Sequence, residues 1–410
     1  MTKNHLFSPH RHNDAAMAGR CSFMKSIEKL ITTSPALKDA ISAINTADFV
    51  AIDTEFMRES TYYPHLCLIQ LCAGPHAFCV DPLAPNLDLS PLFGLMRNEK
   101  VTKVFHAGRQ DLEIFVQLTG AVPSPVYDTQ IAAMVCGLGD QVGYDKLVQH
   151  YKHLQIDKSS RFTNWSQRPL SDRQINYALD DVIHLAEIYP RIIADLTANG
   201  RDKWVKSELA GLADIQLYQT DPDTAYKRIK ARNSKPAQVN RLAQLASWRE
   251  REAQKRDVPR GRILRDDTLI DLAGSNPKTL ADLKKIRGFP GGEGGKFGPF
   301  VIEVLKAADA LPEDKWPVKE RPQQRERPPV AVIEMLRVLL KHVTESHNVA
   351  PRLIASAEEL EKLALSDTAD IPALQGWRRE IFGDAALALK AGKLALTVQK
   401  GKTKLLSLEP

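Results

Sequence analysis

The sequence predicts an α/β domain, a mixed sheet flanked by helices, followed by two all-α helical blocks. Three observations predict it. Short apolar, β-branched runs parted by turn residues crowd the first third of the chain. Helical spacing of apolar residues then takes over. Beyond about residue 200 the strand signals vanish, and two stretches of similar size and helical makeup follow.

ADFVAIDTEF reads as the first strand. LCLIQLCAG and HAFCVDPL, parted by Gly74–Pro75, continue it as an antiparallel meander. VTKVFHAG is a further strand that stops at Gly108. QDLEIFVQLTG then carries Leu112, Phe115 and Val116 at helical spacing up to Gly120. VYDTQIAAMVCGLG and DKLVQHYK read as helices, and LSDRQINYALDDVIHLAEIYPRII as a long one, capped by Ser171 or Asp172, with Pro190 near its end. AQVNRLAQLASWREREAQKRD is amphipathic, with Leu242, Leu245, Ala246 and Trp248 able to share one side. TLIDLAGSNPKTLADLKKIRGF gives two short helices broken at Asn276–Pro277, and PFVIEVLKAADAL another. LPEDKWPVKERPQQRERPPV, dense in Pro and charge, reads as a linker. VAVIEMLRVLLKHVTESH, AEELEKLALS and WRREIFGDAALALKAGK build the second block, as a diverged duplication would. The expected boundaries are a disordered extension 1–25, the α/β domain 26–215, a helical domain 232–312, a linker 313–328, a second helical domain 329–400 and a basic tail 401–410.

Composition narrows the function. The 410 residues are 43% hydrophobic and 26% charged, too apolar for a disordered chain. No apolar run reaches the roughly 18 residues of a membrane span. The first two dozen residues lack the apolar core of a secretory signal. Cys21, Cys67, Cys72, Cys79 and Cys136 show no CxxC spacing, which argues against a zinc site and for reduced thiols in the cytoplasm. A net charge of +6 is compatible with a polyanionic partner.

Three segments carry candidate chemistry. Asp53 and Glu55 sit two apart at the end of a buried strand, so both point to one face, roughly 6–7 Å apart. Two carboxylates so placed repel unless a cation lies between them, and a hard divalent ion accepts such oxygens. In VFHAGRQDLEIF, Asp111 opens a helix; there it either favours the macrodipole or leans toward the strand end that bears Asp53. In INYALDDVIHL, Tyr177 and Asp181 are four apart and share a helix face, whereas Asp180 is expected to point outward. Asp128 reads as a backbone anchor or helix cap, His184 as an ordinary helix residue, and Trp165 as packing. Tyr62 and Tyr63 fit base stacking and sheet packing equally.

DTEF, then HAGRQD, then NYALDDV, in this order and with the flanks RESTYYPHLCLIQL, YDTQIAAMVCG and NWSQRPLSDRQ, resemble the DEDD superfamily of 3′–5′ exonucleases, most closely the ribonuclease D family. The resemblance implies a ribonuclease H-like fold, and Asp53, Glu55, Asp111 and Asp181 as ligands of two divalent ions, Mg²⁺ or Mn²⁺. It implies that Tyr177 orients the attacking water. A sister class has His where Asn176 stands, so this chain falls in the Tyr class. Gln70, His106 and Arg168 are candidate substrate contacts, each with a structural alternative. The implied activity is an exoribonuclease acting on tRNA precursors and other small structured RNAs, in the cytoplasm and as a monomer. A DNA-directed exonuclease and an inactive RNA-binding protein are the alternatives.

Residues 236–311 resemble an HRDC domain, through QLASWREREAQKRDVPRGRILRDDTLIDLA and PKTLADLKKIRGF. The Gly-rich run 291–298 departs from that pattern, and without a Gly-Lys-Ser/Thr it is no P-loop. Residues 329–397 resemble a more diverged second copy. Lys255, Arg256, Arg260, Arg262 and Arg265 fall close enough in sequence to touch phosphates.

Overall fold

A computed structural model describes residues 28–157, 161, 163–231, 234–290, 295–317 and 328–408. The extension 1–25, most of the linker 313–328, and residues 291–294 of the Gly-rich run lie outside them.

The α/β domain runs β1 (Leu30–Ile31), α1 (Ser34–Ile44), β2 (Phe49–Met57), β3 (His65–Ala73), β4 (His76–Val80), α2 (Ser90–Arg97), β5 (Thr102–Phe105), α3 (Arg109–Thr119), β6 (Val126–Asp128), α4 (Thr129–Val135), α5 (Tyr144–Lys152), α6 (Asp172–Ala198) and α7 (Asp202–Ala210). The strands form one mixed sheet in the order β1-β4-β3-β2-β5-β6. β2, β3 and β4 are the antiparallel meander, while β5 and β6 run parallel to β2. Strand alternation sorts β2 between two layers. Val50 and Ile52 enter the core under α1, α2 and α3, and Ala51 packs with α4, α5 and α6 on the other side.

Four local readings are corrected. Leu30–Ile31 is a two-residue strand, too short to leave a periodicity. VYDTQIAAMVCGLG does not start as a helix: Val126–Asp128 is the sheet's edge strand, and Asp128 then caps α4. Pro190 lies inside α6, which continues eight residues further, to Ala198. Pro removes one donor and does not end a helix whose Ile188, Ile192 and Leu196 are buried.

The first helical block contains α8 (Pro236–Arg256), α9 (Arg260–Ile263), α10 (Asp266–Ser275), α11 (Leu280–Leu283) and α12 (Gly298–Ala310), around Leu245, Leu269, Leu272 and Val301. The second contains α13 (Val330–His347), α14 (Pro351–Ile354), α15 (Ala357–Leu365), α16 (Gly376–Arg378), a π-helical turn (Arg379–Gly383) and α17 (Asp384–Lys390), around Leu336, Leu363 and Phe382. It is not all-α, which is the fourth correction. The stretch read as a basic tail pairs as a hairpin, β7 (Leu394–Gln399) with β8 (Lys402–Ser407). Lys400 and Gly401 turn it with φ of 50° and 76°, the sense that matches strand twist. Among the described residues no helix is long and apolar enough to cross a membrane.

Both blocks are tied to the α/β domain. Asp257 accepts from the Tyr62 and Tyr63 amides, each at 3.0 Å. Trp204 stacks on Trp377 at 4.4 Å and 11°, and Arg378 pairs with Glu208 at 2.5 Å.

Candidate active site

Asp53 follows Ala51 on the β2 face covered by α6, and Glu55 follows two residues on. A register shift between Glu55 and Phe56 then bends the strand. Asp181 comes down onto the same spot from α6, whose Ala178, Leu179, Val182 and Leu185 are buried against the sheet. One oxygen each from Asp53, Glu55 and Asp181 lies within 4.8 Å of the others. Asp180 is exposed, as expected.

Asp111 arrives from the opposite layer. Thr54, between the two acids, points to the α3 side and donates its hydroxyl to Asp111 Oδ1. Asp111 stands in the first turn of α3, a turn that depends on a narrow backbone. Ala107 has φ 55°, and a Cβ on Gly108 would come within 2.4 Å of the Phe105 Cβ. Asp128 fastens this turn by accepting from the Ala107 and Gly108 amides at 3.1 and 2.9 Å, and it caps α4 through the Gln130 amide at 2.8 Å.

Electrostatics mark the cluster. Burial, then the charges of Asp111, Asp181 and Glu55, hold the Asp53 carboxyl well above its ordinary range. Burial, then Asp181 and Asp111, push Glu55 up to about 9, although Arg161 opposes them. Burial raises Asp181 to about 7 against a hydrogen bond from Tyr177. Burial raises Asp111 to about 6 against the bond from Thr54. Oxygens that repel one another in a half-buried site fit hard divalent cations, which would neutralise them. Tyr177 is also shifted upward, by burial and then by Asp181, Glu55 and Asp53, so its hydroxyl stays protonated at neutral pH.

Beside the acids lies a cavity of about 330 Å³, lined by Asp53, Tyr177, Asp181, His106, Tyr144 and Arg161, among others. His106 therefore reaches the site, but both ring nitrogens are engaged, with Thr129 Oγ1 and the Val142 carbonyl at 3.0 Å each. It can offer a ligand its ring, not a nitrogen. Sequence reasoning missed Tyr144, whose hydroxyl donates to the Asp181 carbonyl and steadies α6 there. It also missed Arg161. Neither belongs to a patterned motif, and only the fold brings them in.

Two substrate contacts are corrected. Gln70 pairs with Asp53 across β2 and β3 but is fully buried, so it has no surface for a nucleotide. Arg168 spends all its N–H donors inside the protein: Nε and Nη2 on Asp81 at 2.7 Å each, Nη2 also on the Cys67 carbonyl, and Nη1 on the Trp165 and Gln167 carbonyls. No donor is left for a phosphate. Trp165 packs in the core, as expected.

Comparison with known proteins agrees with this geometry. Residues 29–197 match a 3′–5′ exonuclease family model, and residues 238–305 match the HRDC domain. The chain is 46% identical over 376 residues to ribonuclease D of Gluconacetobacter diazotrophicus, covering 92% of this chain and 96% of that one. It is 45% identical over 386 residues to ribonuclease D of Zymomonas mobilis, covering 93% and 99%. Among solved structures, Escherichia coli RNase D, described as an exoribonuclease involved in structured RNA processing, superposes with a TM-score of 0.78 at 31% identity, covering 88% of this chain and 98% of that one.

Proposed function

Since the chain belongs to the ribonuclease D family and is a metal-dependent 3′–5′ exoribonuclease, we propose that it trims tRNA precursors and other small structured RNAs from a free 3′ end. Each turnover releases one nucleoside 5′-monophosphate. One observation carries the reading: carboxylate oxygens of Asp53, Glu55 and Asp181, from a strand and a helix far apart in sequence, converge within 4.8 Å.

In this reading Asp53, Glu55, Asp111 and Asp181 would hold two divalent ions. Bound there, such ions would supply positive charge for activating water and stabilising the leaving oxygen. The chain's own residues do the rest. Thr54 fixes Asp111 against β2. The Tyr177 hydroxyl, kept protonated and bonded to Asp181, orients the attacking water. The 330 Å³ cavity receives the terminal nucleotide against the rings of His106 and Tyr144.

The domain limits follow the same proposal: an exonuclease domain 26–215, an HRDC domain 232–312 and a second, HRDC-like domain 329–400. The order of elements supports the last. In each block a long helix ends in a left-handed residue, Asp257 or Asn348. A four-residue helix and a helix of 10 or 9 residues then follow. We place the enzyme in the cytoplasm as a monomer, a compartment in keeping with the free thiols of Cys67, Cys72, Cys79 and Cys136.

The test is a 5′-labelled RNA hairpin with a 3′ tail, incubated with Mg²⁺. The tail should shorten stepwise with release of 5′-monophosphates, and Asp181→Asn should abolish it. Faster digestion of a matched DNA overturns the ribonucleolytic reading.

A further inference from the structure

A cleft of about 720 Å³ opens where the α/β domain meets the first helical block. Its walls carry four arginines, Arg58, Arg109, Arg228 and Arg260, and the half-buried rings of Tyr62 and Tyr63. The guanidinium groups divide into two kinds. Arg58 is paired with Glu113 by two bonds of 2.8 and 2.7 Å, and Arg260 with Glu250 at 3.0 Å. Among the described residues Arg109 and Arg228 hold only neutral oxygens at long range, the Leu217 carbonyl at 3.4 Å and the Thr220 hydroxyl at 3.5 Å. Neither forms an ion pair among the described residues. Both are free to exchange a weak bond for an anion.

Two of the cleft's arginines stand close in sequence to the catalytic acids. Arg58 lies three residues past Glu55, one beyond the end of β2. Arg109 lies two residues before Asp111, at the start of α3. We propose that this cleft binds the single-stranded RNA upstream of the scissile phosphate, a reading that rests on the exoribonuclease function above. Arg109 and Arg228 contact backbone phosphates, while Tyr63 offers its ring to a base; the Arg260 guanidinium already lies over the Tyr62 ring, 5.7 Å from its centroid. Cationic and aromatic groups in one cleft suit a flexible strand without regard to sequence. The first helical block then belongs to the substrate path, because Arg228 precedes it and Arg260 lies within it.

The test compares a 12-nucleotide RNA, long enough to fill the cleft, with a dinucleotide that occupies the catalytic cavity alone. Arg109→Gln with Arg228→Gln should raise KM for the 12-mer about tenfold or more, as loss of two charge-assisted contacts implies, and leave kcat and dinucleotide turnover unchanged. The slope of log(kcat/KM) against log[salt] for the 12-mer should flatten by about 1.4, or 0.7 per lost contact to a single strand. Arg109→Lys with Arg228→Lys should restore most of that slope. Equal losses on both substrates, or an unchanged KM and salt slope on the 12-mer, overturn the proposal. Wild-type protein is assayed beside the variants: if it trims no RNA, the functional reading fails, whereas trimming by wild type and variants alike sinks only the cleft.

Discussion

The Tyr177 hydroxyl donates to the Asp181 carboxylate four residues further along α6. Two opposed effects meet in that bond. Burial favours the protonated acid, and the phenol favours the carboxylate. The same hydroxyl can face a water at the cluster, because residues four apart share a helix face. Tyr177→Phe keeps the ring's packing beside Trp165, whose centroid is 6.1 Å away, and removes only the oxygen. Steady-state assays on RNA should show kcat down about 100-fold with KM little changed, the size expected of a positioned polar group in proton transfer. A change in KM alone would show that the hydroxyl binds substrate and does not orient water.

Thr54 is the least conspicuous residue of the motif and is expected to matter as much for metal. Its hydroxyl is the buried side-chain donor that holds Asp111. Thr54→Val preserves shape and leaves an acceptor unsatisfied. Groups that orient a metal ligand are worth about 10–100-fold in affinity, so Mn²⁺ titration calorimetry should show a loss in that range. Unaltered affinity would mean that Asp111 needs no help from β2.

Metal should stabilise the fold more strongly at high pH than at low pH. In the metal-free protein, Glu55, Asp181 and Asp111 have folded-state pKa values near 9, 7 and 6, above their ordinary ones. A carboxyl raised on folding contributes stability below its unfolded pKa and loses it as pH rises through the folded value. The chelated protein should therefore melt lower at pH 8 than at pH 6. Mg²⁺ takes over the protons' role at pH 8 and competes with them at pH 6. Differential scanning fluorimetry checks the sign: a larger Mg²⁺-induced rise in Tm at pH 6 would refute it.

How far the sequence reaches is plain from single residues. Asp53, Glu55 and Asp181 were legible because a strand and a helix have fixed periods, and an acid on an otherwise apolar face stands out. The sheet's outer strands β1 and β6 were not, since two or three residues carry no period. Arg168 and Gln70 show a different limit. Sequence places each near the site but is silent on which way a side chain finds its partners. Arg168 turns inward to Asp81, and Gln70 lies buried under α6 with both amide atoms unpartnered among the described residues. The C-terminal hairpin escaped notice because Lys-Gly, not Asn-Gly, makes its turn.

Arg168 should accordingly behave as a structural residue. Asp81 is almost fully buried, and Arg168→Ala would leave its charge without the bidentate partner. Breaking a buried pair from one side costs on the order of 3 kcal/mol. Urea denaturation should show that loss, while KM for short RNA at a temperature where the variant is folded should match wild type. A selective rise in KM would return Arg168 to the substrate site.

Asp309 tests whether the first helical block is held by its own charges. The carboxylate closes the block by accepting from Arg241 and Lys278 at 2.6 Å each and from Asn276 at 2.9 Å, which ties α12 to α8 and to the turn after α10. Burial works to raise its proton affinity, but the three bonds outweigh burial and hold the carboxyl well below the ordinary 3.8. A depressed acid contributes stability above its unfolded pKa and loses it as pH falls through the folded one. Asp309→Asn should thus lower Tm at pH 7, and the gap to wild type should narrow once pH falls below about 4. Because Asp309 belongs to the helical block, turnover of a dinucleotide should not change. A gap that stays constant from pH 7 to pH 3 would assign the loss to packing and remove charge from the account of how α12 is held.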